Sequence, residues 1–187
     1  MQLSEMFKSV ILTAAVLTIA VISVGQNIRI MLPMKNPRIE IKKNERRLRI
    51  FDGKVLIKTY KMIIGFAPHG DKRTEGDGKT PTGKFYVFTK NPESKFYLSL
   101  GLSYPNSEAA TRGLREKIIS NDEYDAIIEA IEQKKMPPQK TALGGEIYIH
   151  GGGILVDWTE GCIALRNEEI KEIFDVIPVG ATVFISE

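Results

Sequence analysis

Cys162 is the one cysteine in the chain, set in Asp157-Trp158-Thr159-Glu160-Gly161-Cys162-Ile163-Ala164-Leu165. His150, one of only two histidines, lies a short way upstream in Ile147-Tyr148-Ile149-His150-Gly151. A thiol attacks as its thiolate, and a free cysteine, with a pKa of about 8.5, needs a base or positive surroundings to react well at neutral pH. Imidazole is the side chain suited to be that base. Gly161 before the thiol, and Gly151, Gly152 and Gly153 after the histidine, leave the backbone open to a substrate. Backbone N–H groups around Gly161 and Cys162 can hold the oxyanion of a tetrahedral intermediate. The combination points to acyl transfer through a thioester. Taken singly, each residue also has a plainer reading. His150 can be a hydrogen-bonded structural histidine, and Cys162 a small buried hydrophobe. A metal site of Cys162, His150 and Glu160 is conceivable, but zinc sites usually recruit more thiols and imidazoles than this chain offers. No metal or other cofactor is expected.

The elements that must position these residues are mostly strands. Arg38-Ile39-Glu40-Ile41-Lys42 and Arg47-Leu48-Arg49-Ile50 alternate with period two. Asp52-Gly53 signals a hairpin, and 54–64 reads as a long strand ending at Gly65. A loop rich in Gly, Asp, Lys and Thr fills 65–83; Asp77 and Thr80 can order it through turn hydrogen bonds. It lacks the glycine spacing of a P-loop. His69 lies in a turn and is assigned no role. Strands are expected at 84–88, 96–100, 146–149 and 182–185. Tyr124, Ile127, Ile128 and Ile131 form one helical stripe, with Asn121 or Asp122 as cap. A second helix starts near Asn167 and carries Ile170, Ile173, Phe174 and Ile177. His150 thus falls at the mouth of a strand. The fold class is mostly β, of the α+β kind.

The chain has 187 residues and a formal net charge of +3, with 43% hydrophobic and 26% charged residues. That is enough for one domain with a sizeable core. A lone cysteine allows no internal disulfide. The mild charge does not call for nucleic acid. The basic cluster Lys42, Lys43, Arg46, Arg47 and Arg49 reads as a solvated strand and turn. Residues 9–28 carry no charge, and 10–24 are almost entirely apolar. Residues 1–28 are therefore read as a signal peptide or membrane anchor and left out of fold reasoning. Residues 29–37 are a linker with Pro33 and Pro37, and 38–187 form the catalytic domain. An exported chain of this kind belongs in the cell envelope, with the membrane as a partner through its N-terminal segment.

The Cys162 segment resembles the L,D-transpeptidase catalytic domains of bacterial cell-wall enzymes. That family pairs a His-Gly or His-Ser with a downstream Ser/Thr-His-Gly-Cys and an apolar residue. Here the pattern is His150-Gly151 and Thr159-Glu160-Gly161-Cys162-Ile163. The likeness runs through Glu75-Gly76-Asp77-Gly78-Lys79-Thr80-Pro81-Thr82-Gly83-Lys84-Phe85, Ser103-Tyr104-Pro105-Asn106 and Val179-Gly180-Ala181-Thr182-Val183. It implies a β-sandwich with a few peripheral helices. It implies Cys162 as nucleophile and His150 as base, with the Gly151 carbonyl orienting the imidazole. It also implies a peptidoglycan stem peptide as substrate, cut after its third residue. The acyl group would pass to a second stem or to a wall-attached protein.

Two positions depart from the family pattern. Glu160 replaces the histidine before Gly-Cys, and Ala164 replaces an arginine after it. The acidic residue resembles one branch of the family, which includes enzymes that cut a protein off the wall. Glu160 is expected to line the donor site or position an acceptor amine. With the arginine absent, Arg166, Lys72 and Arg73 are candidates to grip a substrate carboxylate. Tyr104 joins Glu160 and Arg166 as an expected substrate-binding residue.

Overall fold

The computed structural model describes residues 34–187, so the N-terminal apolar segment lies outside the described residues. The elements are β1 (Pro37–Lys42), β2 (Arg47–Asp52), β3 (Val55–Lys61), β4 (Gly83–Ser94), β5 (Tyr97–Leu102), α1 (Ser107–Arg115), α2 (Asn121–Glu132), β6 (Tyr148–His150), β7 (Ile163–Ala164), α3 (Asn167–Val176) and β8 (Thr182–Ser186). The strands hydrogen-bond in the order β3-β2-β1-β8-β4-β5-β6-β7. The expected mostly β fold with a few helices is what forms. No helix among the described residues is long and apolar enough to cross a membrane.

Period-two alternation builds the core. Ile39 pairs with Ile50 on β2 and with Val183 on β8, and Val183 pairs with Phe85 on β4. All four side chains are buried, which makes one apolar row across four strands. Each such burial contributes roughly 1.5–3 kcal/mol before the entropy of ordering is counted. Strand β4 is longer than its sequence suggests because it serves two partners. Gly83 to Tyr86 pair with β8, while Val87 onward pairs with β5. This shared strand turns the sheet and carries it to β6 and β7. The far ends then meet: past β3, Ile63 exchanges both backbone hydrogen bonds with Ala164 of β7, at 3.1 and 3.0 Å. The expected long strand through residue 64 is thus interrupted after Lys61, and its last residues close the curled sheet beside the cysteine.

Asp52-Gly53 makes the expected hairpin, with Gly53 at φ +56°. Helix α2 begins as expected, but its cap is Ser120. The Ser120 hydroxyl accepts from the Glu123 N–H, and the Glu123 carboxylate accepts from the Ser120 N–H, a reciprocal capping box. Helix α1, capped by Asn106, packs on α2 around Ala110, Ile119, Ile127 and Leu143. The basic cluster is only partly solvated. Lys43 is fully buried, donating to Gly70 O and Glu187 at 2.7 Å each, and Arg46 pairs with Asp157. A lysine in a turn looks exposed until the distant segments that cover it are known.

Candidate active site

Strands β6 and β7 run parallel, with Ile149 opposite Ile163 and His150 opposite Ala164. One step back along each strand, Tyr148 stands beside Cys162. Their side chains alternate in step, so Cys162 and His150 emerge on the same face. Both line one open cavity of about 1030 Å3, together with Lys72, Ser99, Trp158 and Glu160. The Tyr148 N–H donates to Cys162 Sγ at 3.4 Å, and the thiol donates to Glu146 O at 3.3 Å.

The cysteine turn is held from below by the glycine-rich loop. Gly161 sits at φ +135°, where a side chain is strained, and a Cβ there would lie 2.7 Å from Lys79 O. A Cβ on Gly65 would lie 2.1 Å from Gly78 O. Thr80 Oγ1 accepts from Gly65 N–H at 3.0 Å, and Thr159 O accepts from Phe66 N–H at 2.9 Å. The Thr159 hydroxyl donates to Cys162 O at 2.7 Å, which fixes the carbonyl just past the thiol. Asp77 orders the loop as expected from its type: its carboxylate accepts from the backbone N–H groups of Arg73, Thr74 and Lys79 and from Lys72 Nζ.

His150 is 2% exposed. Its Nδ1 lies 2.6 Å from Gly151 O. A carbonyl only accepts, so Nδ1 carries the ring proton and Nε2 is left with a lone pair. The imidazole is stacked on Phe96 at 4.6 Å between centroids, and the Trp158 edge meets it at 5.7 Å. Burial lowers the His150 pKa below its usual value; the Gly151 carbonyl opposes this and Lys95 adds to it. Burial pushes the Cys162 thiol up to about 11. The Tyr148 N–H and Lys72 pull it down, while Glu146 and Glu160 add to the rise. At neutral pH both groups rest uncharged, and the thiol needs a proton acceptor at the moment of attack.

The structure separates the other sequence candidates. Glu160 is exposed at the cavity and Lys72 is buried in its wall. Tyr104 is not at the cavity: it is 1% exposed, its hydroxyl donates to Leu143 O at 3.1 Å, and its ring packs near Phe85. A tyrosine between β5 and α1 that is covered by Phe85 and Leu143 is a packing residue here. Arg166 is also elsewhere, an exposed residue at the start of α3 paired with Glu169 at 3.1 Å. Arg73 is exposed and pairs with Glu116. Sequence reasoning missed Phe96 and Ser99, which come from the β4–β5 hairpin. Ser99 faces His150 across the ladder, and only the fold brings that hairpin to the motif. Trp158 was within sight as an aromatic beside the motif. Among the described residues, no cluster of three or more His, Cys, Asp or Glu side chains is placed to hold a metal ion.

The family model of the YkuD-type L,D-transpeptidase catalytic domain matches residues 36–185. The chain belongs to the L,D-transpeptidase family. No curated protein matches it in sequence. Among solved structures it is similar to the helical cell shape determining protein Pgp2 from Campylobacter jejuni, at 26% identity and a TM-score of 0.55, covering 81% of this chain and 48% of that one. Bd1075 from Bdellovibrio bacteriovorus shares the fold, at 21% identity and a TM-score of 0.53, covering 82% of this chain and 48% of that one. The chain therefore spans about half the length of these structures.

Proposed function

We propose that the chain is a peptidoglycan L,D-transpeptidase that works on stem peptides through a Cys162 thioester. The placement of Cys162 and His150 on one face of neighbouring parallel strands, both lining the same cavity, carries this reading. Sγ attacks the carbonyl of the third stem residue while His150 Nε2 takes the thiol proton. The C–S bond forms, the C–N bond to the terminal D-residue breaks, and that proton leaves on the amine. The Cys162 N–H is assigned to hold the developing oxyanion, joined by the Gly161 N–H if it gives up its long bond to Thr159 Oγ1 at 3.4 Å. An amine from a second stem then attacks the thioester, gives its proton to His150, and the thiol is restored.

Water in place of the amine gives a cysteine hydrolase or amidase that trims stems or frees a wall-attached protein. Glu160 is the observation that favours this second reading, since an exposed carboxylate at the cavity can hold water as well as an amine. The acidic residue is also the feature by which the sequence resembles the branch noted above. We assign 38–187 as the catalytic domain and 1–28 as the export signal or membrane anchor. The likeness to a cell shape determining protein supports a role in wall remodelling that alters shape.

The test is acylation by a carbapenem, read by intact mass. Wild type should gain one adduct and Cys162→Ala none; an unmodified wild type would overturn the reading. Muropeptide analysis of treated walls then separates new crosslinks from trimmed stems and released protein.

A further inference from the structure

We propose that Lys72 binds the α-carboxylate of the residue that the enzyme expels, and so restricts the donor to stems with a free C-terminus. The inference rests on the transpeptidase reading above. The cavity carries charges of both signs, but they differ in burial. Glu75, Glu93, Lys95, Lys140, Glu146 and Glu160 are exposed, while Lys72 is 2% exposed. Water screens the exposed charges; a buried ammonium acts at much lower dielectric.

Lys72 is also incompletely satisfied. Its ammonium has three N–H donors. One goes to Asp77 Oδ1 at 2.9 Å and one to Thr74 O at 3.1 Å, leaving one for the cavity it lines. Asp77 balances the charge but takes only one of its N–H groups, because the two carboxylate oxygens also accept from three backbone N–H groups. Gly144 leaves room for the lysine stem: a Cβ there would lie 3.2 Å from Lys72 Cε. The Lys72 charge is felt at the thiol. In the expelled residue the carboxylate is one carbon from the nitrogen of the broken bond. A cation lining the same cavity as Sγ is therefore placed for that group, and the other two candidates, Arg73 and Arg166, point to partners elsewhere.

The plainer role for Lys72 is to staple the loop through Asp77, and the experiment separates the two. Full-length protein is given a tetrapeptide stem as the free acid or as the C-terminal carboxamide, and release of the terminal residue is timed. Wild type should prefer the free acid by about ten- to a hundredfold, the range for one hydrogen bond between charged groups. Lys72→Gln should lose that preference, and Asp77→Asn, which loosens the loop but keeps the ammonium, should retain it. Equal wild-type rates on the two peptides, or a preference that survives Lys72→Gln, would overturn the assignment. So would its loss in both variants, which marks a loop effect. If wild type acts on neither peptide and takes no carbapenem, the transpeptidase reading itself fails.

Discussion

Two glycine-rich segments flank the catalytic pair, and they use glycine for opposite reasons. In the segment from Gly65 to Gly83, Gly65 and Gly78 are packing residues, while Gly76 between them has open space around it. Gly65 and Gly78 approach so closely that a methyl on either would strike backbone or ring atoms within 2.3 Å. The segment from Gly151 to Trp158 begins the same way, since a Cβ on Gly151 would lie 2.5 Å from Asn167 Oδ1. It then opens. A Cβ on Gly153 would meet nothing within 4 Å, and Leu155 is 98% exposed. Asp157 fixes the segment again, through Arg46 and the Ile64 N–H at 3.1 Å. The wall under the thiol is thus rigid, while the wall beside the histidine is rigid only at its ends. Nucleophilic attack tolerates little misplacement, so the firmer support belongs under the sulfur.

Gly65→Ala is the sharpest way to break this contrast. The methyl would force apart the loop and the cysteine turn, at or above the top of the ~1–3 kcal/mol usual for overpacking. A shift of the turn by about 1 Å should slow carbapenem acylation on the order of a hundredfold. Gly153→Ala, with space around it, should cost only the ~1–2 kcal/mol of a strained backbone and leave acylation near wild type. Urea melts and acylation rates on the two variants check both halves. Equal losses would mean that the two segments are not different in kind.

That contrast also marks how far the sequence could be read. The alternating strands, the hairpin at Asp52-Gly53 and both helical stripes followed from local periodicity, because each pattern is visible within a few residues. Cys162 and His150 were legible from residue type and motif. The rest required contacts between distant segments. Phe96 reaches His150 only because β4 changes partners midway. Tyr104 and Arg166 looked available because nothing near them in sequence shows that one is in the core and the other turned to Glu169. Lys72 and Arg73 are adjacent and alike, yet one is buried in the cavity wall and the other is exposed.

The pH response of the thiol sharpens the comparison from the side of the rigid wall. Half-buried there, Cys162 keeps its proton to about pH 11, and His150 stays neutral below its ordinary value. The free enzyme is then a thiol beside an imidazole, not a thiolate–imidazolium pair. Iodoacetamide alkylation of Cys162 should be slow at pH 7 and climb roughly tenfold per pH unit through the alkaline range. A flat rate from pH 6 to 9 would show that the pair is already ionised. The same shifts act on stability with opposite signs. The raised thiol contributes stability present below its unfolded value and lost as pH rises through about 11. The lowered histidine contributes stability present above its unfolded value and lost as pH falls through its depressed one. Urea melts of Cys162→Ala against wild type should therefore diverge on the alkaline side only.

The smallest effect is expected at the tip of the open segment. Leu155 and Val156 are 98% and 65% exposed, so neither has much burial to lose. Leu155→Ser and Val156→Ser should each stay within about 0.5 kcal/mol of wild type, as surface substitutions usually do. Carbapenem acylation should also be unchanged, because His150 is held from the other side by Phe96 and by Gly151 O. Thermal melts and adduct kinetics measure both. A clear loss of acylation at unchanged stability would mean that the tip folds over the cavity during reaction, and the segment could no longer be called rigid only at its ends.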